Sequence, residues 1–143
     1  MKYFRDILDT ITENGIEYIN LVRSANILGL FTDVHTESYD ITDGDTLDTI
    51  SYKLYDSIEY WWVVAVVADI DDPFNDIPMT NYSLKKYWEK LVADGEAVDN
   101  PTNWNAFVSE NNAKRRITVL KPKYLEDLVF AIEEQLKENE SGN

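Results

Sequence analysis

Cysteine is absent from the chain, which removes disulfide staples, thiol nucleophiles and cysteine-ligated metal sites and leaves the redox compartment unspecified. Histidine is almost absent too. With His35 as its single imidazole, the chain has no means of building a multi-histidine metal site or a two-imidazole relay, and the residue reads as a surface or strand-edge position. Positive charge is scarce: 13 Lys and Arg stand against 27 Asp and Glu, a formal charge of −14. A field of that sign repels a phosphate backbone, whose binding depends on Lys and Arg displacing counterions, so nucleic acid is not an expected partner. Long apolar runs are missing as well. The longest, residues 60–68, has nine residues where a membrane-spanning helix needs roughly 20. It reads as a core helix or buried strand, and no membrane association is expected. Residues 1–9 alternate apolar and charged side chains with no apolar stretch ahead of a cleavage site, so synthesis in the cytoplasm without a secretory signal is the expectation.

Hydrophobic residues are plentiful. At 44% of 143 residues, with 13% aromatic, they suffice for the core of one domain. Catalytic arrangements are not. No serine lies in a Gly-x-Ser-x-Gly elbow, and no glycine-rich loop precedes a lysine in the order that cradles phosphates. Carboxylates cluster at Asp43 with Asp45, and at Asp69 with Asp71 and Asp72. Turn and cap chemistry explains the first pair. In the second, Pro73 stands where a calcium loop needs a ligand, and the loop's glycine is lacking. No enzymatic activity, cofactor, metal or small-molecule substrate is expected.

Patterning divides the chain into an irregular N-terminal arm over 1–38, a domain over 39–122 and a C-terminal helix and tail over 123–143. A strand is predicted over 39–42. The Asp43-Gly44 turn follows, and Asp45 or Thr46 is placed to cap a helix over 47–55, in which Leu47, Ile50 and Leu54 form an apolar face. A second helix is predicted over 59–68, ending before Pro73. Residues 79–113 read as an insertion, with a helix over 83–92 and then a polar loop through Gly95, Pro101 and the asparagines near Trp104. A strand over 116–120 and a helix over 124–137 complete the pattern. Leu125, Leu128, Val129, Ile132 and Leu136 form a stripe on that last helix, packing on the domain or on another subunit. Pairing the two strands gives a small α+β unit, and closing a long insertion between them costs only logarithmically in its length.

Two constellations point to contacts. Trp61 and Trp62 occupy adjacent helical positions about 100° apart, so one fills the core while the other faces a different direction, toward the insertion or a partner. Lys114, Arg115 and Arg116, with Lys121 and Lys123 beyond, concentrate positive charge, either to grip an acidic surface or to keep a strand edge soluble.

Residues 39–78 resemble a LysM domain in the Gly44-Asp45-Thr46-Leu47 turn, the helix from Ile50 to Tyr55 and the Asp72-Pro73 exit. More narrowly, the chain resembles the LysM-containing baseplate wedge proteins of contractile-tailed bacteriophages. The residues concerned are Asp43-Gly44-Asp45-Thr46, Lys53-Leu54-Tyr55, Tyr60-Trp61-Trp62-Val63-Val64, Asp69 through Phe74, and Asn111-Asn112-Ala113-Lys114-Arg115-Arg116-Ile117. That resemblance spans roughly 39–137. It implies a LysM-like strand-helix-helix-strand core and a non-enzymatic structural subunit of the virion, made in the host cytoplasm. Such a subunit joins neighbouring wedges around the tail hub, with other baseplate wedge and hub proteins as partners. Candidate contacts are Trp61, Trp62, Phe74, Leu125, Leu128, Val129 and Ile132. The alternative the resemblance implies is a module for peptidoglycan or N-acetylglucosamine, its groove beside Gly44, Asp45, Thr46 and Leu47. Two departures weigh against it: Asp69 stands where an asparagine is common, and the insertion begins where the groove would be walled.

Overall fold

Two five-residue strands far apart in sequence, β1 (Thr36–Asp40) and β2 (Arg116–Leu120), pair antiparallel in the computed structural model of the chain, from Thr36 opposite Leu120 to Asp40 opposite Arg116. The structure describes residues 18–20, 22 and 27–141, without the side chains of Phe74, Leu136 and residues 139–141. Most of the arm expected over 1–38 therefore lies outside the described residues. The strand expected over 39–42 begins three residues earlier. Thr36, Glu37 and Ser38 are polar because one face of this two-stranded sheet meets solvent, so no apolar alternation marked them. Ile41 leaves the strand, yet its N–H still donates to Arg115 O (2.8 Å) and its side chain is buried.

Between the strands run α1 (Leu47–Tyr55), α2 (Trp61–Val67), a single turn α3 (Pro73–Asp76), α4 (Asn81–Ala93) and α5 (Pro101–Asn112); α6 (Leu125–Ser141) follows β2. Short 3-10 turns cover Ile27–Leu30, Asp33–His35, Ile58–Tyr60 and Pro122–Tyr124. The chain is thus mixed α+β. Helix α2 reads WWVVAVV and is apolar on every side, which a helix tolerates only when it is surrounded. It is. Val63 and Val64 have no exposed area, and α2 shares one buried cluster with Ile50 of α1, Leu120 of β2, Leu128 and Ile132 of α6, and Val22 of the arm.

Local chemistry fixes the helix ends. Thr46 caps α1 by accepting the Thr49 N–H, while Thr49 Oγ1 accepts the Thr46 N–H (2.8 Å), two orphan donors satisfied reciprocally. Helix α2 closes with Asp69 in the left-handed region (φ 57°), where the Ile70 N–H donates back to Ala65 O (2.8 Å) and Ile70 turns into the core. This geometry favours Gly, then Asn or Asp, so an aspartate at 69 is explained by backbone conformation.

The polar loop expected after Gly95 is instead a helix. Asn100 accepts the Asn103 N–H (2.8 Å), Pro101 supplies the first helical φ, and α5 runs for 12 residues. Its Trp104 and Phe107 meet Tyr87 and Trp88 of α4 in an aromatic cluster with ring centroids 5.0–6.4 Å apart. The insertion therefore has an apolar centre of its own. Buried Asn111 fastens it to the body, accepting the Met79 N–H (2.8 Å) and donating to Met79 O (3.0 Å).

Candidate functional site

The turn between β1 and α1 is organised around Asp45, whose side chain is 4% exposed. Gly44 adopts φ +88°, a conformation open to glycine at little cost, and this swings Asp45 inward. Its Oδ1 accepts from Lys53 Nζ (2.7 Å) and Thr49 Oγ1 (3.1 Å). Its Oδ2 accepts from the Thr42 N–H (3.0 Å), Thr42 Oγ1 (2.8 Å) and Tyr39 OH (3.1 Å). Burial alone would raise the carboxyl, but the Lys53 ammonium and the Thr42 and Thr49 donors outweigh it and bring Asp45 down to about 2. Tyr39 moves the other way: burial, then the bond to Asp45, raises its phenol. Of the two capping candidates, Thr46 is the cap and Asp45 binds strand, turn and helix together. Asp43 accepts the Asn81 N–H (2.8 Å), joining the turn to the insertion.

That turn forms one bank of a groove of about 1170 Å³. Residues 45–48 line one side, Pro73, Asn75 and residues 77–80 the end, and α4 and α5 the other. The insertion walls the groove but leaves it open. Aromatic surface is available in it from Tyr82, 74% exposed, and from Tyr87 and Phe107. Its charged members have both signs, Lys86, Lys90 and Lys114 against Asp45, Asp48 and Glu110.

Both tryptophans are interior. Trp62, 5% exposed, packs against Tyr18 of the arm (centroids 5.3 Å), whereas Trp61, 8% exposed, borders the groove. The Trp61 Nε1–H is buried with no acceptor among the described residues. Phe74 belongs to α3, and its side chain lies outside the described residues. Along α6, Leu128 and Ile132 are buried in the core, Leu125 packs against it and Val129 is half-buried. Leu128 and Ile132 thus close on their own domain, whereas Val129 borders a surface hollow and the Leu136 side chain lies outside the described residues.

The basic cluster is divided among different tasks. Arg115 donates through Nη1 to Ile41 O (3.1 Å) and through Nε to Asn112 Oδ1 (2.8 Å). Arg116 pairs across the strands with Asp40 (3.2 Å), at 74% side-chain exposure, and Lys114 faces the groove. Lys121 donates to Val34 O (3.0 Å). His35 is half-buried between Phe31 and Tyr124, and its Nδ1 accepts the Thr32 N–H (2.8 Å). Among the described residues no three His, Cys, Asp or Glu side chains converge as metal donors, and no helix is long and apolar enough to cross a membrane. The resemblance named a groove beside residues 44–47, but its far wall went unread, because that wall is α5, whose cap signal Asn100-Pro101 and stripe of Trp104 and Phe107 were legible but overshadowed by the asparagines. No protein-family model, curated protein or solved structure matches the chain.

Proposed function

We propose that this chain is a structural subunit of the baseplate of a contractile bacteriophage tail, a wedge protein with a LysM-like core that joins neighbouring wedges around the hub during virion assembly. Its partners are then other wedge and hub proteins. The observation that carries this reading is the use to which the ordered motifs are put. Asp45 and Lys53 lock the turn, residues 61–66 fill the core, Asn111 clamps the insertion and Arg115 ties the last strand to Ile41. Every one of these builds a frame, which suits a subunit whose work is to hold neighbours at fixed positions. The test is a tagged pull-down from infected or co-expressing cells, read by protein mass spectrometry beside peptidoglycan sedimentation. Other tail proteins in fixed ratio and no sedimentation are expected; cell-wall sedimentation without protein partners overturns the reading.

One observation favours a second reading, a glycan-binding module. The groove runs beside residues 45–48 and is flanked by Tyr82, Tyr87 and Phe107, and aromatic walls of that kind suit a sugar ring. Titration with N-acetylglucosamine oligomers, monitored by tryptophan fluorescence, separates the two. A saturable change that Tyr82→Ala removes favours the glycan; a flat response favours assembly.

A further inference from the structure

Glu126, Val129, Phe130 and Glu133 recur at i, i+3, i+4 and i+7 and so share one face of α6, while Leu128 and Ile132 turn to the core. Phe130 is 63% exposed, on a helix that already has a buried stripe. With Val129, Leu125 and Tyr60 it bounds a shallow hollow of about 430 Å³. Among the described residues, every charged one lining that hollow is acidic: Glu126, Asp127 and Glu133. None of the three is in an ion pair among the described residues. Tyr60 registers the same field, its phenol raised by burial first and then by Glu59 and Glu126.

We propose that this hollow docks a basic amphipathic segment of a partner protein, with an apolar side chain seated against Phe130 and Tyr60 and Lys or Arg residues facing Glu126, Asp127 and Glu133. An apolar floor in an acidic rim selects by charge, because complementary pairs steer the encounter and fix register while like charges are rejected. That argument sets aside other occupants. A second copy of this chain brings its own −14, and an anionic lipid surface repels the rim as well. An amphipathic helix laid along α6, anchored by one apolar residue, is the binding mode that fits. The inference goes beyond the assembly reading, since it specifies the chemistry of a partner whatever complex that partner belongs to.

The experiment is fluorescence anisotropy of the full chain with a labelled Leu/Lys amphipathic helical peptide and its Leu/Glu counterpart. The Lys peptide binds and the Glu peptide does not. Phe130→Ser weakens binding by about tenfold, within the range of a truncated anchor. Glu126→Lys with Glu133→Lys abolishes it, whereas Asp94→Lys with Glu96→Lys, the same charge change made on the insertion, leaves most of it. Circular dichroism establishes that each variant is folded. Failure of the Lys peptide to bind, equal losses in the two charge-reversed variants, or full binding by Phe130→Ser overturns the proposal. So do wild-type dimers in sedimentation that Phe130→Ser dissolves, because the occupant is then a second copy. A pull-down without tail proteins leaves this result untouched, so the two readings fail separately.

Discussion

Asp45 is the residue on which the turn depends. Five donors reach one carboxylate, and removing its charge weakens the bonds from the Lys53 ammonium and the two threonine hydroxyls and takes away one of the two accepting oxygens. Because its pKa in the folded chain lies below the ordinary value, the stabilisation it gives is complete above about pH 4 and is lost as pH falls toward about 2. The expected cost of Asp45→Asn at neutral pH is about 2 kcal/mol, discounted toward 1 because Lys53 is half exposed and screened. Urea denaturation of both proteins across that range checks the sign: the gap between them closes on acidification. A gap that does not vary with pH assigns the loss to packing instead. Asp43-Gly44 was legible as a turn from the dipeptide alone. The inward orientation of Asp45 was not, because it follows from Tyr39, Thr42, Thr49 and Lys53 converging in space.

Helix α6 illustrates at the level of elements what periodicity does and does not tell. The stripe of Leu125, Leu128 and Ile132 was readable in the sequence, but whether it packs on this chain or on a neighbour depends on α2 being apolar all round and needing cover. The structure places Leu128 at 0% exposure in the core that α2 shares, and Phe130 at 63%. Leu128→Ala is expected to cost about 3 kcal/mol through lost burial and the cavity left behind, and Phe130→Ser less than about 0.5 kcal/mol. Thermal melts of the two variants test this; equal losses would mean that α6 is not seated as described. Helix α5 was misread for a different reason. Its asparagines suggested a loop, yet Asn100 and Asn111 act as an N-cap and a buried clamp, roles in which an amide side chain satisfies backbone groups.

For the whole molecule, the pairing of two strands 76 residues apart at Asp40 and Arg116 was anticipated from the two predicted strands, since closing the long segment between them costs only logarithmically in its length. The groove's near bank at the turn was named by the resemblance, but its far bank was hidden, since it exists only once α4 and α5 stand opposite residues 45–48. The −14 charge has a consequence at this scale as well. A chain so acidic repels its own copies at low ionic strength and meets basic partners at rates that fall with salt. The central claim is that the folded chain is a frame held among the proteins of a tail baseplate. Quantitative mass spectrometry of contractile tails purified after assembly with the tagged chain tests it most directly. The account predicts that the chain is retained through washing in a fixed ratio to the other baseplate proteins; its absence from otherwise complete tails would contradict it.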